Sequence, residues 1–146
     1  GPATPSELPF VARVLTVDFG EEAVAYPYQV LQELKVVNDT VAGNQIAVFW
    51  QAGTASALDR GQVSEGRDIG TANAYSRELN GQSLPFAVNA QGEIVDEQTG
   101  SQWSVLGKAT SGELAGEQLE PAIAINHFWF SWAAFKPETR IFQPGN

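Results

Sequence analysis

The sequence predicts an α+β fold, a mainly antiparallel twisted sheet or partial β-barrel with two short flanking helices. Three observations predict it. Apolar and β-branched runs of four to nine residues recur along the chain, separated by Gly, Asn and Pro turn signals. Only two segments carry helical spacing, near residues 27–34 and 126–136. Heptads, internal repeats and low-complexity tracts are absent from the sequence.

The elements follow in order. Residues 1–9 hold three prolines and little apolar pattern, so they read as a flexible tail. The Gly1-Pro2 start resembles a protease scar, and an export signal would then lie outside this sequence. Residues 10–146 read as a single globular domain. Residues 11–17 are β-branched enough for a strand, residues 18–22 for a turn, and residues 23–26 for its return strand. Pro27 suits the first position of a helix that Tyr28 to Leu34 continue. Val36-Val37 leads into a turn cluster built from Asn38-Asp39-Thr40 and Ala42-Gly43-Asn44. Residues 46–50 are continuously apolar, as in a strand covered on both faces. Residues 53–58 are small and read as a tight turn with at most one helical turn. Residues 60–67 read as a polar loop.

The middle of the chain predicts a meander. Residues 69–77 form a strand candidate, and Asn80-Gly81 is the strongest hairpin signal because both residues accept positive φ. Leu84, Phe86 and Val88 alternate with smaller residues. Pro85 cannot donate to a ladder, which places that strand at an edge. Gln91-Gly92 and Thr99-Gly100 mark further turns around residues 93–96, and Trp103 and Val105 alternate in the next strand. Residues 119–125 read as a last strand. Asn126 is placed to cap a helix over residues 128–136, with His127 in its first turn and Pro137 ending it.

Composition restricts the chemistry. The 146 residues contain no Cys, no Met and one His, so thiol nucleophiles, disulfides and Cys- or His-rich metal sites are excluded. Apolar residues at 43% against 17% charged place the chain among globular proteins. The net charge of -9, with no run of Lys or Arg, repels polyanions; nucleic acid and anionic membranes are not expected partners. No stretch reaches the roughly 18 apolar residues of a spanning helix, so direct membrane insertion is not expected. No cofactor is expected, and the partner is an unidentified small molecule or protein.

Several ordered words carry a family resemblance: Ala25-Tyr26-Pro27, Val37-Asn38-Asp39-Thr40, Gly53-Thr54-Ala55-Ser56-Ala57-Leu58-Asp59, Val95-Asp96-Glu97-Gln98-Thr99-Gly100-Ser101 with Trp103, and His127-Phe128-Trp129-Phe130 with Trp132. Across residues 25–140 they resemble a prokaryotic family of unknown function, domain of unknown function 3179. The resemblance implies an extracytoplasmic or cell-envelope setting without an established activity. Many members carry a Cys-Pro-Leu-Cys-Gly word where this chain has Phe49-Trp50-Gln51-Ala52-Gly53. No thiol role carries over.

The candidate residues bear oxygen, imidazole or large rings. Asp96, Glu97 and Thr99, with Ser101, form the densest oxygen cluster and are the metal candidates, although they lack a calcium-loop spacing; as a turn they would satisfy their own backbone. Asp39, Asp59 and Asp96 could supply an acid/base pair of the glycosidase type, which needs carboxyls about 5 to 9.5 Å apart. His127 is the only imidazole base, and Ser56 could join it in a triad, although Gly53-Thr54-Ala55-Ser56-Ala57 is not a nucleophile elbow. Trp50, Trp103, Thr54, Ser56 and Arg60 are the ligand-binding candidates: rings to stack, hydroxyls to bond, and a guanidinium to clamp an anion. The sequence thus supports a binding or interaction domain first, with a carboxylate-dependent hydrolase as the alternative.

Overall fold

The computed structural model describes residues 8–53 and 69–145. It is an α+β protein built on mainly antiparallel sheets, and none of the sheets among the described residues closes into a barrel. The first sheet joins β1 (Arg13–Asp18), β2 (Ala23–Pro27), β12 (Ala124–Phe128) and β13 (Arg140–Ile141) in the order β12-β1-β2-β13, β13 alone pairing in parallel among the named strands. The second has the order β3-β4-β5, from β3 (Val36–Val41), β4 (Asn44–Gln51) and β5 (Thr71–Ser76). The third is the expected meander, β8 (Phe86–Val88), β9 (Ile94–Asp96), β10 (Gln102–Trp103) and β11 (Ala109–Ser111). A small hairpin of β6 (Glu78–Leu79) and β7 (Gln82–Ser83) turns on Asn80-Gly81, both at positive φ. Helix α1 spans Tyr28–Leu34 and α2 spans Trp129–Phe135.

Side-chain alternation stacks these parts into layers. On β4, Ile46, Val48 and Trp50 face the first sheet and α1, whereas Ala47 and Phe49 face the meander. That period of two explains the continuous apolar run: both faces are covered. The first sheet does the same, since Leu15, Val17, Val24 and Tyr26 pack inward while Val14, Ala23 and Ala25 pack against Trp129, Trp132 and Ile141. Full burial of rings and branched chains such as Phe49 and Leu15 contributes about 2–3 kcal/mol each. No helix among the described residues is long and apolar enough to cross a membrane.

Four local expectations change. Pro27 is the last residue of β2, extended at φ -64 and ψ 135, and α1 starts one residue later; pairing with Val14 holds it in the strand. Asn38-Asp39-Thr40 lies within β3, because the turn is only Ala42-Gly43, with φ 49 and 78. Residues 119–123 are largely outside a strand, which instead runs through Phe128. Asn126 and His127 are therefore strand residues opposite Leu15 and Val14, not the cap and first turn of α2. Asn126 accepts from the Tyr28 hydroxyl, and the cap position of α2 is Phe128, with no side-chain cap bond.

Pro85 precedes β8, which is an edge strand of the meander, as expected. Its outer edge is met by a side chain rather than a strand. Asn38 donates from Nδ2 to Phe86 O at 2.8 Å and accepts from Phe86 N on Oδ1 at 2.9 Å. The amide imitates a neighbouring peptide and docks the meander on β3.

Candidate functional site

The end of β4 opens a groove of about 340 Å³ between the second sheet and the meander. Trp50, Gln51 and Ala52 form one wall, Ile94, Gln102, Trp103, Ser104, Val105 and Thr110 the other, and Lys35, Gly92 and Glu93 complete it. A second hollow of about 300 Å³, lined by Gln32, Trp50, Ala52 and Gly53, shares Trp50 and Ala52 with the first.

Each ring is fixed from behind. The Trp50 indole donates to Ile69 O at 2.8 Å. Gly70 makes that pose possible: at φ +82 it lies so close that an added Cβ would come 2.5 Å from the indole. Trp103 donates to Asp96 Oδ2 at 3.0 Å and meets Phe86 edge-on, with centroids 5.4 Å apart. Both rings are mostly buried, and both line the groove.

Lys35 ends α1. Its backbone N bonds Leu31 O and its carbonyl accepts from Trp50 N, both at 2.8 Å, with φ at 65. The side chain reaches the β8–β9 turn, where Nζ lies 3.6 Å from the position a Gly92 Cβ would take. Among the described residues, no hydrogen bond or ion pair engages that ammonium. Glu93 is held by its own turn: Oε1 accepts from Gln102 Nε2 at 2.7 Å and from Asn89 Nδ2 at 3.1 Å.

Asp39 and Asp96 are not among the residues that line the groove, and no hydrogen bond joins them. Asp96 is 0% exposed; its oxygens take the Trp103 indole, the Thr99 amide and the Thr99 hydroxyl at 2.9 Å. Burial pushes its pKa up, but the donors from Trp103 and Thr99 outweigh burial and hold it below the ordinary value. Thr99 also bonds Ser101, and Glu97 is exposed. Among the described residues no three His, Cys, Asp or Glu side chains gather as a metal site. Asp39 accepts from Tyr26 at 2.8 Å and from Arg140 Nη2 at 3.1 Å, and Arg140 also reaches Glu22 at 3.3 Å. Burial, then the Asp39 charge, drives the Tyr26 pKa far up. Burial lowers that of Arg140, but Asp39 outweighs it and leaves it raised. His127 packs on Trp132 with centroids 4.9 Å apart, its buried Nε2 lacks a hydrogen-bond partner among the described residues, and burial lowers its pKa. No hydrogen bond joins any two of Asp39, Asp96 and His127. Thr54, Ser56, Asp59 and Arg60, and the turn and loop expected over residues 53–67, lie at or beyond Gly53 and outside the described residues apart from that glycine.

The structure thus brings Trp50 and Trp103 to one groove, and adds Lys35 and Glu93, which sequence reasoning missed. A lysine in a glycine-favouring position after a helix was the available signal for Lys35; Glu93 had none.

Comparison with known proteins finds no matching curated protein and no matching solved structure. A family model does match: the family described as Protein of unknown function (DUF3179), over residues 2–139. That span contains every residue of the groove and nearly all of the layered core, and on it the chain belongs to the DUF3179 family.

Proposed function

We propose that this domain is a non-catalytic binding module for a small polar ligand, with the Trp50–Trp103 groove as its site. One observation carries the reading: the Lys35 ammonium, without a hydrogen-bond or ion-pair partner among the described residues, stands in a hollow of ligand size between two clamped indoles. Its neighbours Gln51, Ser104 and Thr110 offer amide and hydroxyl groups for orientation. Support over carboxylate hydrolysis comes from Asp39 and Asp96, whose oxygens are occupied by structural donors. The cell-envelope setting is part of the proposal and rests on the family resemblance; compartment-specific labelling of the full-length protein tests it.

A thermal-shift screen of small acids, sugars and amino acids tests the groove. A ligand at 100 times its Kd adds about 2.7 kcal/mol of stability, a shift that is readily measured. Ala52→Trp, at an exposed position bordering both hollows, fills the groove without touching the core. It is expected to abolish the shift while leaving the unliganded melting temperature near wild type. A hit whose shift survives Ala52→Trp would place binding elsewhere.

A further inference from the structure

We propose that the groove recognises a zwitterion, an α-amino acid with an apolar side chain, its carboxylate on Lys35 and its ammonium on Glu93; this rests on the groove being the binding site. Lys35 and Glu93 line one hollow with opposite charges, yet they do not close into an ion pair. The cause is geometric. Lys35 comes from the end of α1 with its backbone pinned at both N and O, so only its side chain is free to move. Glu93 is drawn toward Gln102 and Asn89 through Oε1, and no bond engages Oε2 among the described residues. A ligand bearing one charge satisfies one of these groups and leaves the other unmatched. A ligand bearing both satisfies each, through a charge-assisted hydrogen bond at either end. Trp50, Trp103, Ile94 and Val105 provide apolar surface for the side chain between them.

The test uses three probes: L-leucine, N-acetyl-L-leucine, which keeps only the carboxylate, and L-leucinamide, which keeps only the ammonium. Binding is read at mildly acidic pH from the indole N–H resonances of Trp50 and Trp103 in ¹⁵N-labelled protein. Leucine is expected to bind about tenfold more tightly than either blocked probe, the weight of one partly exposed charged contact. Lys35→Gln should reduce leucine to the level of leucinamide and leave leucinamide unchanged. Glu93→Gln should reduce it to the level of N-acetyl-leucine. Glu93 is exposed and Lys35 half-buried, and the amide spectrum verifies that each variant is folded. A blocked probe binding as tightly as leucine overturns the zwitterion and leaves the groove reading standing. Leucine that moves neither indole also overturns it. The groove reading fails separately, through an Ala52→Trp variant that still binds a screening hit.

Discussion

The carboxylate of Asp96 is removed from solvent, and burying an ionised group costs several kcal/mol unless donors surround it. Here the Trp103 indole, the Thr99 amide and the Thr99 hydroxyl supply them, and the same bonds fix the indole that borders the groove. Asp96→Asn keeps the shape but turns an amide N–H₂ toward existing donors. It should destabilise the protein by about 2–3 kcal/mol, read as a lower urea midpoint; an unchanged midpoint would remove Asp96 from this role. Because its folded pKa lies below the ordinary carboxylate value of 3.8, its contribution is complete above that value and is lost as pH falls below it. His127 acts in a different window. Burial lowers its folded pKa below 6.5, so the unfolded chain binds the proton first and stability declines as pH falls below 6.5. Replacing it with a non-titrating ring, His127→Phe, should flatten stability between pH 7 and 5 in denaturant titrations, while Asp96→Asn should flatten it only below pH 4. Equal slopes in wild type and His127→Phe would contradict the account of a half-buried imidazole with its Nε2 removed from solvent.

At the scale of elements, α1 ends in a way that sets local stability against the groove. Lys35 holds φ 65, a conformation that costs an L side chain on the order of 1 kcal/mol and a glycine almost nothing. Lys35→Gly should therefore raise stability by up to about 1 kcal/mol in chemical denaturation while weakening capture of a carboxylate ligand. A loss of stability would mean that the ammonium stabilises the fold itself. Asn38 gives the companion case. It was legible as an Asx residue near a turn, but its use is tertiary: it closes the edge of β8 through the Phe86 peptide. Asn38→Ala should cost about 1–2 kcal/mol and speed amide exchange at Phe86. The same contrast runs through the chain. Asn80-Gly81 and the meander turns could be read locally because positive-φ residues announce them. Asn126 could not, because pairing of β12 with β1 through Phe128 prevails over an isolated capping signal. Trp50 and Trp103 were visible as large rings on strands. Lys35 and Glu93 come to one groove only because the meander folds back over the end of α1, an arrangement with no trace in local sequence.

For the whole molecule, charge is the property that acts beyond any one contact. The chain carries 17 acidic against 8 basic residues. The ion pairs among the described residues use only Lys136 and Arg140, with Asp18, Glu22 and Asp39 as their partners. They fasten the last strand and the end of α2 to the β1–β2 and β3 regions, partly exposed and so worth little individually. The remaining carboxylates repel one another across the surface and work against the compact state at neutral pH. Added sodium chloride shortens the range of that repulsion from about 8 Å at physiological strength to about 3 Å at 1 M. The melting temperature at pH 7 should accordingly rise by a few degrees with salt. The sign provides the control. Near pH 4.4, where the sequence is neutral overall, repulsion no longer dominates and the same salt screens the remaining attractive pairs. There the rise should disappear or reverse. An equal rise at both pH values would assign the effect to salt exclusion from apolar surface instead of charge, and the acidity of this chain would then have no measurable influence on its folding.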